Sequence, residues 1–194
     1  MENNSSSLRQ QLLEMFVEFA YQEGDFVLSS GLKSNFYLNG KQVTLRAQGA
    51  LLVGKLIYEM LSPQTEGVAG LTLGADPMVT AVSVVSAYEN NPIPALIIRK
   101  EAKGHGTKAY IEGPSLKEGA IVTVLEDVVT TGKSAMLAVE RLRGAGYQVD
   151  KIISLVDRQA GGAEFYASQG LTFESIFALP EIQKRYLELN KKTV

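Results

Sequence analysis

Apolar positions recur along the chain on two periods, one helical and one of strands. After the polar stretch 5–7, Leu8, Leu12, Met15, Phe16 and Phe19 share one helical face, and Ser7 with Gln10 has capping-box spacing. The pattern predicts a first helix closed by Gly24. Residues 25–29 and 35–39 read as short strands, the second bracketed by Gly31 and Gly40, and with the helix they predict a small N-terminal cap, or hood, outside the main sheet. Residues 46–61 carry helical spacing that stops before Pro63.

From there the two periods alternate. Strands are predicted at 67–73, 95–98, 120–125, 147–156 and 171–177, with 110–112 flanking the Gly113-Pro114 turn that returns the chain to the central strand, and helices at 78–88, from Ala135 to Gly144, and from Gly161-Gly162 to Ser168. Pro180 opens a terminal helix at the first helical position, where a missing N–H costs nothing. Residues 121–125 form a continuous apolar run, the mark of a strand buried on both faces. Together these predict an α/β fold with a doubly wound, mainly parallel central sheet of about five strands. The 194 residues suffice for one such domain, divided into a helix and hood (1–45), a core (46–178) and a terminal helix with its tail (179–194).

The chemistry gathers after the central strand. Glu126 and Asp127 stand at its carboxyl end, in the crevice where open α/β sheets bind ligands, and can accept hydrogen bonds from sugar hydroxyls. Thr130, Thr131, Gly132, Lys133 and Ser134 follow at a helix N-terminus, whose free N–H groups and dipole favour a phosphate. Gly132-Lys133-Ser134 copies the end of a nucleotide-triphosphate loop, but the first glycine of that motif would fall on Asp127, which excludes it.

A second candidate is the segment 99–108, where Arg99, Lys100, Lys103 and Lys108 join the chain's single histidine, His105, with almost no apolar anchor. It predicts a mobile basic loop that closes over a polyanion, with a solvated surface hairpin as the alternative. In the hood, Lys33, Phe36 and Tyr37 either meet a flat anionic heterocycle or divide between core and solvent. Net charge is −2, which argues against a general nucleic-acid binder, and the absence of cysteine excludes disulfides and thiolate chemistry. No apolar run is long enough for a membrane span and the first residues lack a signal-peptide pattern, so no membrane partner and a cytoplasmic location are expected.

The run Val124-Leu125-Glu126-Asp127-Val128-Val129-Thr130-Thr131-Gly132 resembles the phosphoribosyl-pyrophosphate signature of the type I phosphoribosyltransferases. Within that family the chain is similar to the orotate phosphoribosyltransferases along nearly its whole length. Residues 30–37 resemble their early Ser-Gly segment, Arg99-Lys100-Glu101-x-Lys103-x-His105-Gly106 their catalytic-loop motif, and Asp157-Arg158-Gln159 the strand end that meets the orotate carboxylate. The resemblance implies transfer of a phosphoribosyl group from 5-phosphoribosyl 1-pyrophosphate to orotate, with Mg²⁺ bridging ligand oxygens and no protein residue assigned as its ligand. Glu126 and Asp127 would hold the ribose, Thr130 to Ser134 the 5′-phosphate, and Arg99, Lys100, Lys103 and His105 would act in catalysis. Lys33, Phe36, Tyr37, Thr130 and Arg158 would bind orotate. A homodimer whose mobile loop is shared between subunits is implied as well. Ser29 and residues 74–78 stand where many members carry lysines. A non-catalytic regulator that binds the sugar phosphate, or transfer to another base, are the alternatives.

Overall fold

A computed structural model describes residues 2–27, 31, 33–102 and 110–191. The first helix, α1 (Glu2–Met15), runs on through a π-helical turn (Phe16–Ala20) and delivers the chain directly into strand β1 (Tyr21–Val27). Ser7 therefore lies inside the helix and caps nothing, and Gly24 lies in a strand. The reason is burial. Leu12, Phe16 and Ala20 are sunk in the main core, and the π turn keeps Phe16, Val17 and Ala20 inward until the strand begins. Phe16 meets Phe177 edge to face with ring centroids 5.6 Å apart. The helix thus belongs to the core, and only β1 with its antiparallel partner β2 (Lys33–Leu38) forms a separate hood.

A short helix, α2 (Lys41–Thr44), leads into α3 (Ala47–Met60), then β3 (Gly67–Leu71), α4 (Asp76–Tyr88), β4 (Ala95–Ile98) and β5 (Ile111–Glu112). The central strand β6 (Val122–Val129) precedes α5 (Lys133–Gly144), β7 (Lys151–Asp157), α6 (Gly162–Ser168), β8 (Thr172–Ala178) and α7 (Leu179–Asn190). The sheet order is β5-β4-β3-β6-β7-β8. Five strands are parallel, as the alternation of periods predicts, and two-residue β5 adds a short antiparallel edge beside β4.

One face is covered by α1, α3, α4 and α7 around Leu12, Leu52, Ile57, Met78, Val82 and Ile182. The other is covered by α5 and α6 around Val139, Leu142 and Tyr166. β6 is buried on both faces from Val122 to Leu125, as an interior parallel strand must be. It runs four residues further than the apolar run suggests, because backbone pairing with β7 continues to Val129↔Asp157. Successive strands leave β3 toward β4 on one side and β6 toward β7 on the other, so the topology reverses between β3 and β6. That is the point where such sheets open a crevice at their carboxyl ends.

Candidate active site

Glu126 and Asp127 occupy this switch point. Neighbouring strand residues face opposite ways, so Glu126 shares the α5–α6 face with Val124 while Asp127 shares the opposite face with Leu125. The two carboxylates straddle the end of one strand. Asp127 accepts a hydrogen bond from the Val128 N–H at 3.0 Å and lies 3.9 Å from the ammonium of Lys41. Gly74 passes so close that a Cβ there would stand 2.6 Å from Asp127 Oδ1, which explains why the loop after β3 needs a glycine at that point.

Glu126 is buried, and its Oε2 has no hydrogen-bond partner among the described residues. Burial is the main reason its carboxyl is pushed up to about 8, with Asp127 adding repulsion and Lys100 opposing the shift. The interaction with Lys100 joins two residues that sequence reasoning assigned to one site from separate motifs.

Beside Glu126, a small cavity of about 80 Å³ is lined by Val128, Thr130, Thr131, Gly132, Ser134 and Tyr166, among others. Gly132 is the N-cap of α5 with φ 83°, a left-handed conformation that turns the backbone into the helix. A Cβ at Gly132 would also come 2.8 Å from Tyr166 Cε1. Free N–H groups of the first turn of α5 and the hydroxyls of Thr130, Thr131 and Ser134 thus border a space much smaller than a whole ligand needs, and suited to one phosphoryl group. Tyr166 is fully buried, its hydroxyl also lacks a described partner, and burial together with Glu126 and Asp157 raises its pKa.

Arg158 follows β7, and its N–H donates to the Val129 carbonyl at 2.9 Å, which holds it beside the end of β6. Its guanidinium lies 4.9 Å from the centroid of the Phe36 ring, so the hood and the crevice meet here. Phe36 in turn stacks on Tyr21 at 5.9 Å. The strand alternation of β2 separates the other two hood candidates from this pair, since Lys33 and Tyr37 fall on the exposed face while Phe36 falls on the covered one. Arg99 bonds to Glu112 at 3.1 Å, and Lys100 is exposed at the rim. Lys103 and His105 lie outside the described residues, as does Ser29. Met78 is fully buried in α4, so it does not reach the crevice, and Leu73 is the exposed side chain of that loop.

No family model matches the chain. A curated relative, the orotate phosphoribosyltransferase of Nostoc sp., is 70% identical over 184 residues, covering 95% of this chain and 89% of the relative. This chain belongs to the orotate phosphoribosyltransferase family. Solved orotate phosphoribosyltransferase structures share its architecture. The Mycobacterium tuberculosis H37Rv enzyme in complex with Fe(III) dicitrate superposes with a TM-score of 0.81 at 35% identity, over 90% of this chain and 98% of that one. The same enzyme in complex with 5-phospho-α-D-ribosyl 1-diphosphate gives a TM-score of 0.75 at 32% identity, over 91% and 99% of the two chains.

Two residues at this crevice escaped sequence reasoning. Lys41 had no signal, because nothing in its local pattern ties it to Asp127 across the fold. Tyr166 carries no local signal, and only the packing of α6 under Gly132 brings it to the cavity.

Proposed function

We propose that this crevice carries out the family's reaction, in which orotate displaces pyrophosphate from 5-phosphoribosyl 1-pyrophosphate and yields orotidine 5′-monophosphate in pyrimidine biosynthesis. The observation that carries this reading is the contiguity of Glu126 and Asp127 with the Gly132-capped cavity, which presents diol acceptors and a phosphate cradle on one strand–loop–helix unit. A ribose 5-phosphate laid over the end of β6 would put its hydroxyls on the two carboxylates and its phosphate among Thr130, Thr131, Gly132, Lys133 and Ser134.

The bond from the anomeric carbon to pyrophosphate breaks as the bond to the orotate ring nitrogen forms, so no protein nucleophile is required. Positive charge grows on the sugar and negative charge on the leaving group. Arg99 and Lys100, with Lys103 and His105 as the family resemblance implies, supply the cations that stabilise the departing pyrophosphate. Phe36 offers an aromatic face to the flat base, and Arg158 offers a guanidinium to its carboxylate, a charge-assisted pairing that uracil or a purine cannot make. Lys33 and Tyr37 lie on the far side of β2 from this wall.

Glu126 and Asp127 are oxygen donors of the kind Mg²⁺ accepts, and the unpartnered Glu126 Oε2 could meet an ion held mainly by ligand oxygens and water. Bound there, the metal would neutralise charge on the pyrophosphate; the two carboxylates orient the sugar. Chelation by EDTA is expected to abolish turnover, and added Mg²⁺ to restore it.

A homodimer is supported by an apolar groove of about 700 Å³ beside the crevice, lined by Leu45, Leu51, Leu73, Pro77 and Val84. Leu73 is 72% exposed and Val84 52%, an unusual amount of apolar surface for a monomer to leave in water. Lys41 lines the same groove and pairs with Asp127, so a second subunit seated there would lie against the ribose site, as loop sharing requires.

Pyrophosphate release with phosphoribosyl pyrophosphate and Mg²⁺, measured separately with orotate, uracil, hypoxanthine and adenine, tests the assignment. Turnover with orotate alone is expected. Turnover with another base would overturn the choice of acceptor, and binding of the sugar phosphate without turnover would overturn the enzymatic reading.

A further inference from the structure

Arg141 lies on α5, eight residues beyond Lys133 and about 12 Å along the helix axis from it. Its side chain leaves the helix toward the far end of β4. Nη1 donates to the backbone carbonyl of Arg99, and Nη2 donates to the next carbonyl, that of Lys100, at 2.8 Å. The guanidinium also lies 4.0 Å from the centroid of the Tyr110 ring. Arg99 is itself joined to Tyr110 through a 2.8 Å bond from its N–H to the Tyr110 carbonyl. One side chain therefore grips the chain where it leaves the sheet and where it returns.

Two successive carbonyls held by one planar group constrain the peptide planes on both sides of Lys100. Those planes set the direction in which the Lys100 side chain departs. A lysine at position 141 could not reproduce this, because a single ammonium has neither the fork nor the flat face that stacks on Tyr110. An ordinary role for Arg141 would be to place positive charge at the C-terminal end of α5. Arg143 already does that in the same last turn, bonding the Val149 carbonyl at 2.6 Å.

We propose that Arg141 is a positioning residue for the reaction, holding the peptide planes on both sides of Lys100 so that the Lys100 side chain faces the pyrophosphate side of the crevice, while the Arg99 side chain is held by Glu112. The inference rests on the reading of Lys100 as a cation that acts on the leaving group. Arg141 touches no reacting atom itself.

The test uses the full chain carrying Arg141→Lys, Arg141→Ala, Arg143→Lys or Lys100→Ala, with steady-state kinetics for both substrates and thermal melting. Arg141→Lys and Arg141→Ala are each expected to lower kcat by roughly tenfold to a hundredfold, the scale of a small misplacement, with the KM for orotate changed less than about twofold. Melting should stay near wild type in Arg141→Lys, Arg143→Lys should keep wild-type kcat, and guanidinium ion should restore part of the turnover of Arg141→Ala. Wild-type kcat in Arg141→Lys would overturn the inference, because charge alone would then suffice. Loss of kcat only in step with loss of melting temperature would also overturn it, leaving a brace and no positioning role. Lys100→Ala separates the two levels. If it keeps wild-type turnover, the reading of the basic segment fails and the inference fails with it. If it loses turnover while Arg141→Lys does not, the inference alone fails.

Discussion

Glu126 binds its proton more tightly in the folded protein than in the unfolded chain, because its folded pKa is raised from 4.5 to about 8 by burial first and by Asp127 second. Protonated Glu126 therefore favours the fold at low pH, and this contribution is lost as pH rises from about 4.5 through about 8, at up to about 1.4 kcal/mol per pH unit. Glu126→Gln should flatten that dependence and melt above wild type at alkaline pH, while lowering activity above about pH 8, where the wild-type group is an ionised carboxylate and a stronger acceptor for a ribose hydroxyl than the amide. Parallel melting curves for the two proteins across this range would refute the burial argument. At Arg158, replacement by Ala should raise the KM for orotate roughly tenfold or more, the scale of one charge-assisted hydrogen bond, and leave that for phosphoribosyl pyrophosphate near wild type. Equal loss for both substrates would remove Arg158 from base recognition.

At the level of elements, the strand–loop–helix unit of β6 and α5 carries most of the site, and its hinge is Gly132. Gly132→Ala would place a Cβ at φ 83° and against Tyr166, so the loop must shift away from its phosphate-binding shape. The expected result is at least about tenfold weaker binding of phosphoribosyl pyrophosphate, roughly 1.4 kcal/mol, measured by calorimetry, with orotate contacts unaffected. Wild-type affinity would show that the loop does not hold the phosphate. This unit was legible in the sequence because its signals are local: an unbroken apolar run, paired acids, and a small hydroxyl-rich turn. The first helix was less legible. Gly24 reads as a stop, yet the packing of Phe16, Val17 and Ala20 into the core ends the helix earlier and draws Gly24 into β1.

For the whole molecule, the apolar groove between α3, α4 and the loop after β3 makes oligomeric state the decisive property. Val84→Glu would bury a charge if a second copy covers the groove, and should shift the protein toward monomers in sedimentation velocity. Activity should fall in step, because the groove adjoins Lys41 and through it Asp127. An unchanged monomeric sedimentation coefficient in both proteins would exclude this face as a subunit contact.

Periodicity alone determined the alternation of strands and helices, the burial of β6 on both faces and hence the parallel, doubly wound sheet. The motif spacing alone brought out Glu126, Asp127, the Thr130–Ser134 turn and the basic segment, since each of these depends on neighbours in sequence, whereas Arg158 was singled out by the family resemblance. Tertiary structure decided what meets across distance. It paired Lys41 with Asp127, slid Tyr166 beneath Gly132, set Arg158 against Phe36 while turning Lys33 and Tyr37 outward, and brought Arg141 to the root of the basic segment. None of these contacts has a local cause. Each follows from how two faces of one sheet are covered, and side-chain direction across such a gap is set by packing and not by the order of residues.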